Sequence, residues 1–526
     1  MKKLRQINEF ILLFYFIPFI TLFAQMPKNI EPNIEWTKKQ YMAKGFVNTI
    51  THLDTNENSF IFLYTTVAEG SFSRSHSYLV KMDMLTGTPQ NFKLELKDGG
   101  TKRNWEHIRD LDNGLYIISS FQNKKDKRYY IFLETVNKDK LELNKDARKI
   151  GEVSYQDIDG SKLDNFVVTV SPNKERILLS YSIVNKNEIT RLGIQVFDKD
   201  FKQLWIRESD FPRIEGKDVS VGNYTIDNDG NVYLGQNTYD KKREVWNLHL
   251  TCFPMNNGEP RVEEVVFSGD KYARSETIIC SPRGEIICAG FYSSPGKMSV
   301  SGTFSYLYST QLGTLLSKNE KEFDEDFITM GMNDKDAEKV MEKKDKDKEF
   351  DEGYSYYIDR KYQRKDGGFS LFAEKFKIQV QTVRNGNMVT TYYYYNYNDI
   401  IVLTYNVDGS IRWVQKIPKY QRLINSERMF GSYYSSINEN DDIDIIYNEN
   451  VKDKMSDKAQ PLMVTIDSEG KLSFKEMFRD DKEVRKTFSP ILSYKLMDDK
   501  YLLGRVNLSR WGAKGTFIHW GVTELK

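Results

Sequence analysis

Two acidic turns carry oxygen ligands at a spacing that could bind a cation. The stretch from Asp227 to Asn231, DNDGN, is similar to half of a calcium loop, and Glu439 to Asp442 with Asp444 crowds carboxylates at another turn. A calcium loop also needs a glutamate farther along to close the coordination shell, and none follows Asn231 at that distance. Asn-Asp-Gly is equally what a hairpin turn requires. The sequence therefore predicts two solvated turns here, and no metal site.

Other catalytic residue types are sparse. None of the histidines stands in H-E-x-x-H, no His–Cys spacing suits zinc, and no G-x-S-x-G elbow, P-loop or G-x-G-x-x-G occurs. A lone histidine on a strand is more often a packing residue than a ligand. We therefore predict no metal and no cofactor, and no catalytic residue can be chosen. The histidines are His52, His76, His107, His249 and His519.

A run of tyrosines is the remaining candidate site. Tyrosine offers an apolar ring with a polar tip, so an exposed cluster could stack on sugar rings or dock a protein. The alternative is a strand whose alternate tyrosines pack on a neighbouring sheet, as the high tyrosine content of the whole chain suggests. The residues of this possible binding surface are Tyr392, Tyr393, Tyr394, Tyr395 and Tyr397.

The elements that must position these residues are repeated hairpins. Residues 397–419, YNDIIVLTYNVDGSIRWVQKIPK, contain two strands around the turn Asp408-Gly409. Looser copies at 78–96, 192–209 and 461–478 also turn at Gly or Asp residues, which is a hairpin signal. A second type of hairpin, such as residues 276–290, alternates with the first.

Together the hairpins make eight units of four strands, spaced about 55 to 60 residues apart. Four-stranded antiparallel sheets in series are typical of a β-propeller. The sequence therefore predicts an all-β propeller of eight blades, and a count of seven stays open. Two carboxylates from different blades could meet in its central funnel as the acid and base of a glycosidase, although the sequence does not select which two.

The last unit has only three strands before the chain stops. NIEWTKKQY, Asn33 to Tyr41, has the same pattern as SIRWVQKIP, the fourth strand of the sixth unit. We expect the N-terminal strand to complete the C-terminal blade, because this closure leaves no open sheet edge.

Residues 319–358 interrupt the repeat with a charged insertion. Asn333 can cap a helix, Asp336 suits its first turn, and Ala337, Val340 and Met341 share one narrow apolar face. The sequence predicts a short helix near 333–349, either solvated or serving as a docking element.

The N-terminus predicts export. Lys2, Lys3 and Arg5 precede an apolar stretch from Phe10 to Ala24, which is the pattern of a secretory signal at residues 1–24. Residues 25–526 would then be a single propeller domain in the periplasm or outside the cell. No later segment is apolar enough to span a membrane.

Charge and cysteine content exclude other classes. With 76 Lys and Arg against 75 Asp and Glu, the net charge of +1 gives no footprint for nucleic acid. The three cysteines are too few for a disulfide framework. If the turn at 281–284 closes a hairpin, Cys280 and Cys288 lie too far apart to bridge, so buried thiols are expected.

The stretch YYYYNYNDIIVLTYNVDGSIRWVQKIPKYQ at 392–421, with DGGFSLFAEKF before it, resembles a set of exported, uncharacterised propeller-like proteins. They share a YNDI strand, a DG turn and W-x-x-KIPK-x-Q, and the resemblance covers residues 320–425. It implies the fold and a cell-envelope location, and no activity. MDMLTG with the strand-ending Trp205 and Trp413 is similar to the repeats of eight-bladed quinoprotein-like propellers. Since the adjacent cysteine pair of quinone dehydrogenases is absent, that likeness implies non-catalytic assembly scaffolds.

These observations favour a non-enzymatic binding or scaffold protein of the cell envelope, with an envelope protein or a glycan as partner. The alternative is a carbohydrate-active enzyme or glycan-binding protein that uses the central funnel.

Overall fold

The structure is a computed structural model of the 526-residue chain. It describes residues 34–524 apart from 37–39, 44–45, 56–58, 68–75, 84–87, 99–100, 112–113, 145–146, 156–161, 186–187, 211–218, 243–244, 295–299, 311–312, 346–354, 387, 425–428, 450, 453–459, 479–486, 498–499 and 509–515. The predicted signal sequence at 1–24 lies outside the described residues.

The described strands form eight antiparallel sheets of four strands each, with short additional segments in three of them, so the fold is an eight-bladed β-propeller. In blades 1 to 7 the four main strands follow one another in space as they do in the chain, whereas the outermost position of blade 8 is taken by the N-terminal segments. The strands of blades 1 to 4 are Phe46–Thr55, Ser59–Val67, His76–Asp83 and Pro89–Lys93; Asn104–Leu111, Gly114–Asn123, Arg128–Asn137 and Arg148–Ser154, with Glu142–Leu143; Lys162–Val170, Arg176–Asn185, Glu188–Asp198 and Gln203–Asp210; and Val219–Ile226, Val232–Asp240, Val245–Phe253 and Arg261–Glu264. Those of blades 5 to 8 are Tyr272–Cys280, Ile286–Ser293, Gly302–Ser309 and Thr314–Glu322; Ser355–Gln363, Phe369–Asn385, Met388–Tyr405 and Ile411–Ile424, with Val451–Lys452; Tyr433–Ile437, Ile443–Glu449, Gln460–Ile466 and Leu472–Glu476; and Thr487–Met497, Lys500–Leu508, Thr516–Glu524 and the N-terminal segments Glu35–Trp36 and Gln40–Ala43. A separate two-stranded ladder joins Lys97–Asp98 to Thr101–Lys102.

The first strand of each blade lies innermost and lines a central channel. First strands of neighbouring blades contact one another around the ring. Between blades 6 and 7 the ring is joined by side chains, since the Arg360 guanidinium donates to the Tyr433 carbonyl at 2.5 Å and the Tyr362 hydroxyl donates to the Ser435 carbonyl at 2.6 Å. The first strands therefore form a continuous ring around the channel.

The N-terminal strand closes blade 8, as the sequence predicted. Trp36 pairs with Gly521, and Gln40 pairs with Ile518, both antiparallel on the strand Thr516–Glu524. The Trp36 ring packs edge-on against Phe478 at 5.7 Å. The first and last parts of the chain are therefore joined in one sheet.

The hydrophobic core lies between blades. Each of the eight interfaces has its own cluster of buried apolar side chains, contributed by two adjacent sheets. Tyrosine contributes large buried side chains to several of these interfaces. The fully buried tyrosines are Tyr64, Tyr181, Tyr292, Tyr306, Tyr405, Tyr433, Tyr447 and Tyr501.

The turns that the sequence predicted are built by side chains. In blade 4 the Asp227 carboxylate accepts from the backbone N–H groups of Asp229 at 3.0 Å and Asn231 at 2.8 Å. Gly230 follows at φ +94, a region that favours glycine.

Two tryptophans donate hydrogen bonds from one blade to the turn of the next. The Trp205 indole donates to the Gly230 carbonyl at 3.0 Å, and the Trp413 indole donates to the Ser468 carbonyl at 3.2 Å.

A β-bulge interrupts the first strand of most blades. Register shifts fall between Ile118 and Ser119 opposite Glu106, and between Ile358 and Arg360. They recur in blades 1, 3, 4, 5 and 8. Because a bulge adds one residue, it exchanges the faces to which the following side chains point.

The helix predicted near 333–349 is confirmed, and the flanking strands extend into residues 319–358 at both ends. The fourth strand of blade 5 continues to Glu322, and Asn319 within it pairs with Ser305. Strand structure resumes at Ser355. Helix α2, Asp334–Asp345, agrees with the predicted helix and begins directly after Asn333. A short helix, α1, Glu325–Thr329, was not predicted. Asp324 caps it by accepting from the Phe327 N–H at 2.8 Å.

Candidate functional site

The tyrosine run lies on a two-stranded arm that extends beyond blade 6. The second strand of that blade pairs with the first strand only as far as Phe376, and the third strand pairs with the fourth only from Tyr394 onward. Beyond these points Lys377–Asn385 and Met388–Asn396 pair with each other, within the part of the chain described. We call residues 377–396 the arm. At about 3.3 Å per residue its strands are about 30 Å long.

The arm has one mainly apolar face and one mixed face, and the mixed face also carries exposed apolar side chains. Directly opposed residues share a face, so the pairs Ile378–Tyr395, Val380–Tyr393 and Arg384–Val389 lie together. On this apolar face four side chains have large exposed fractions: Ile378 48%, Val380 56%, Val389 62% and Tyr393 45%. The opposite face carries Gln379, Gln381, Tyr392 and Tyr394, with Val383 and Met388 at the tip.

The five tyrosines therefore do not form one cluster. Tyr395 and Tyr397 pack against a buried cluster that includes Leu423 of their own blade and Met429 and Phe430, just before blade 7. Tyr393 continues their face outward into solvent, while Tyr392 and Tyr394 point the other way. The Arg422 guanidinium covers the ring of Tyr394 at 4.3 Å. The tyrosines nearest the blade therefore pack, and the outer ones extend onto the arm.

The KIPK segment anchors the arm and the insertion. The Lys419 ammonium is buried and binds the Glu374 carboxylate, just below the arm. The Lys416 ammonium donates to the carbonyls of Phe327 at 3.3 Å and Ile328 at 3.0 Å, at the end of α1. Pro418 lies so close to Gly331 that a Cβ there would be 2.4 Å away. The arm therefore has a rigid base.

The central channel carries two cations that the sequence did not reveal. Arg109, on the first strand of blade 2, donates to the Val168 carbonyl of blade 3 at 2.8 Å. Lys361, on the first strand of blade 6, donates to the Ile278 carbonyl of blade 5 at 3.2 Å. Burial lowers the pKa of both groups, and the charge of Arg109 lowers the pKa of Lys361 further. Lys361 is still accessible to water, because it lines the channel.

Channel carboxylates also have perturbed pKa values. Burial raises the pKa of Glu106, and the neighbouring Asp164 of blade 3 raises it further, while the Ser120 hydroxyl donates to Glu106 and opposes this. Burial raises the pKa of Asp359 to about 6, although Arg360 and the Tyr433 hydroxyl at 2.6 Å stabilise its charge. Glu106 and Asp164 are therefore two carboxylates from different blades that influence each other.

A fourth channel carboxylate, Glu276, is already bound by groups of the neighbouring blade. Burial raises the pKa of Glu276, which accepts from the Asn237 amide at 2.7 Å in the interface of blades 4 and 5. Its carbonyl accepts from the Asn223 amide at 2.9 Å. Glu276 thus contributes to packing and is no partner for the Glu106–Asp164 pair.

The acidic turns behave as turns. Asp227 also accepts from the Asn231 amide at 2.8 Å and the Tyr233 hydroxyl at 3.1 Å. In the second turn, Asp441 accepts from the Lys365 N–H at 3.0 Å, whereas Asp444 accepts from Thr465 at 2.9 Å. Within the described ranges no group of three His, Cys, Asp or Glu residues could hold a metal ion.

The histidines and cysteines are dispersed among blades. The His249 ring bonds to the Thr238 hydroxyl at 2.9 Å inside blade 4. The three cysteines are free and buried, as predicted. In the strand register Cys280 lies opposite Ile286, whereas Cys288 lies opposite Ile278.

A cavity beside Cys252, between blades 4 and 5, has a volume of ≈ 20 Å³, which is room for about one water.

Comparisons with known proteins add no functional assignment. No protein-family model matches the chain, and no curated protein sequence matches it. Among solved structures, the chain is similar to the β-propeller domain of the trilobed protease from Pyrococcus furiosus, at 11% identity and TM-score 0.35, covering 84% of this chain and 96% of that one. It is similar to an α-L-arabinanase from Penicillium chrysogenum complexed with arabinobiose, at 8% identity and TM-score 0.33, covering 95% and 99%. It is also similar to the acylaminoacyl peptidase of Pyrococcus horikoshii, at 12% identity and TM-score 0.34, covering 88% and 57%. At such scores the fold assignment rests on the eight sheets themselves.

No helix within the described residues is both long and apolar enough to cross a membrane.

Proposed function

We propose that this protein is a non-enzymatic binding protein of the cell envelope, exported by its N-terminal segment, and that the arm docks its partner. The observation that carries the proposal is the exposed apolar face of the arm, formed by Ile378, Val380, Val389 and Tyr393. Water-exposed apolar side chains that lie side by side on a rigid element are typical of interaction sites.

The charge of the arm defines the partner's chemistry. Residues 377–396 contain Lys377 and Arg384 and no aspartate or glutamate. Arginine, tyrosine and aliphatic side chains are typical of the centre of protein interfaces. The complementary surface is a protein with an apolar centre surrounded by carboxylates. A second copy fits less well, because each copy of this face carries the cation Arg384 and no acid that could pair with it.

The anchoring of the arm supports binding with little loss of entropy. The buried pair Lys419–Glu374 and the contact of Tyr395 with the core hold its base in one orientation. A rigid docking element gives more of its contact energy to affinity than a flexible one.

The test places the photo-crosslinker p-benzoylphenylalanine at position 380 or at position 381. These neighbours lie on opposite faces of the arm. In cells producing the full chain, position 380 should crosslink one envelope protein at an acidic, partly apolar segment that mass spectrometry identifies. Position 381 should not. Equal crosslinking at both positions, or crosslinking only to a second copy of the chain, would refute the proposal.

A matched pair of variants checks the same contact without a crosslinker. Val380→Ser with Tyr393→Ser should abolish copurification of the partner that was identified at position 380. Gln381→Ser with Tyr392→Ser, on the other face, should retain it. N-terminal sequencing of the exported protein tests localisation, and a start at Gln25 is expected.

A second candidate function rests on Glu106 and Asp164. A carboxyl with a raised pKa beside a carboxylate from another blade is the pairing that glycosidases use. If the channel hydrolyses glycans, purified protein should release reducing ends from a polysaccharide panel, and Glu106→Gln should abolish release. Equal release by the protein and this variant would exclude the glycosidase.

A further inference from the structure

Arg109 and Lys361 both lie near one mouth of the central channel. Arg109 is two residues from the end of its strand at Leu111, and Lys361 is two residues from the end of its strand at Gln363. The carbonyls that they bind occupy equivalent positions, since Val168 and Ile278 each stand two residues before the end of their strands. The two cationic groups therefore reach the same level of the channel, from opposite sides of blade 4.

This mouth faces away from the arm. In each blade the first strand ends here, at its turn into the second strand. The arm extends the connection between second and third strands, which lies at the other end of antiparallel strands. The channel mouth is therefore separate from the docking face proposed above.

Neither cation is paired with an acid among the described residues. The acid next to Arg109 in sequence, Asp110, binds Lys138 at 2.6 Å. Asp359, two residues before Lys361, is bound by the Tyr433 hydroxyl and by Arg360. Asp110 and Asp359 are thus already bound by other groups.

Both cations keep unused donors. A guanidinium has five N–H donors and an ammonium has three. Arg109 uses one on Val168, and Lys361 uses one on Ile278. Burial is the main cause of the lowered pKa of Lys361, and the charge of Arg109 lowers that pKa further, so the two cations repel each other. An oxyanion between them would accept the remaining donors and remove the repulsion.

We propose that this channel mouth binds a small oxyanion, a carboxylate or a phosphate, between Arg109 and Lys361. Arginine would bind two oxygens through its planar fork, and lysine would supply a point charge on the other side. The ligand must be small enough to enter the ring of first strands. This site does not depend on the proposed role of the arm.

Isothermal titration of the full chain with succinate and, separately, with inorganic phosphate tests the proposal at constant ionic strength. At least one anion should bind with one site per chain, and the tighter one identifies the chemistry. Lys361→Met and Arg109→Gln should each weaken binding about tenfold or more, since each removes charge-assisted hydrogen bonds. Lys365→Met is the matched control, because Lys365 pairs with Glu439 on the surface of the adjacent turn.

Thermal unfolding gives an independent measure. Without anion, Lys361→Met should have a Tm equal to or above that of the parent protein, because the substitution removes repulsion. With saturating anion, the Tm of the parent and of Lys365→Met should rise, while that of Lys361→Met should not. Equal binding by all three variants, or no binding of either anion, would overturn the proposal.

Discussion

Lys419 and Glu374 form a buried ion pair at the base of the arm. The remaining atoms of both groups are bound as well. Lys419 also donates to the Gln421 amide oxygen at 3.2 Å, and Glu374 accepts from the Ser432 hydroxyl at 2.7 Å. Burial lowers the pKa of Lys419, and the attraction of Glu374 opposes that shift. The pair joins the second and fourth strands of blade 6 to the start of blade 7.

Removing one partner of this pair should be strongly destabilising. Lys419→Met leaves the Glu374 charge buried without a cation, and we expect a loss of about 3–5 kcal/mol in the free energy of unfolding. The midpoint of urea unfolding measures it. The double variant Lys419→Met with Glu374→Met should recover most of the loss, because no charge remains to be desolvated.

The double variant also separates stability from binding. If the pair serves only to fix the arm, the double variant should fold and still crosslink its partner through position 380, more weakly than the parent. A double variant as unstable as Lys419→Met would show that the hydrogen bonds of Gln421 and Ser432 contribute more than the charges.

The closure of blade 8 depends on a glycine. A Cβ at Gly521 would lie 2.5 Å from Ile34 and 2.9 Å from the Trp36 ring. We expect Gly521→Ala to displace the N-terminal strand, with a loss of about 1–3 kcal/mol from overpacking. Limited proteolysis should then cleave before residue 46, while the remaining blades stay intact.

Gly235 provides the matched control. It also lies inside a blade, but a Cβ there meets no atom closer than 3.8 Å. Gly235→Ala should therefore leave both the proteolysis pattern and the Tm unchanged. If Gly521→Ala behaves like Gly235→Ala, Trp36 and Ile34 do not hold the closure.

The blade count could be predicted because the signals are local. Asp408-Gly409 fixes its turn within four residues, with the Asn406 carbonyl accepting from the Gly409 N–H at 2.9 Å. The closing strand was found from its likeness to the strand that contains Trp413. The start of the insertion was misplaced, because Asn319 belongs to a strand only through its pairing with Ser305. No local pattern shows such a partner.

The candidate sites were harder to predict for physical reasons. The arm continues the alternation of Phe369–Asn385 without a break, so the sequence does not show where the blade stops supporting it. Lys361 follows a bulge at Asp359, which exchanges the faces of the strand. A prediction from strict alternation therefore assigns the Lys361 side chain to the wrong face of its strand. Arg109 follows a bulge in the same way.

His52 should make the protein sensitive to acid. Its ring stacks on Tyr494 of blade 8, with centroids 3.7 Å apart, and burial lowers its pKa to about 4, although Asp54 opposes the shift. The unfolded chain, with a histidine pKa near 6.5, takes up the proton first. Stability that is complete above pH about 6.5 is therefore lost as the pH falls toward 4.

The variant His52→Phe keeps an aromatic ring and removes the titration. The difference in Tm between pH 7 and pH 4.5 should become smaller, by the equivalent of about 1 kcal/mol after screening. Tyr494→Leu keeps the titrating ring and should retain the parent's pH dependence. If His52→Phe also retains it, another group dominates the acid response.

The three thiols should report on one interface. Cys252, Cys280 and Cys288 all lie in the cluster between blades 4 and 5. Burial raises the pKa of each thiol, to about 12 for Cys280, so the reactive thiolate is rare. Ellman's reagent should label none of them within minutes in the native protein and all three in urea.

The variant Gly521→Ala, which we expect to loosen blade 8, should leave the labelling of these thiols slow. Fast labelling in that variant would show that opening at the closure spreads around the ring to blades 4 and 5.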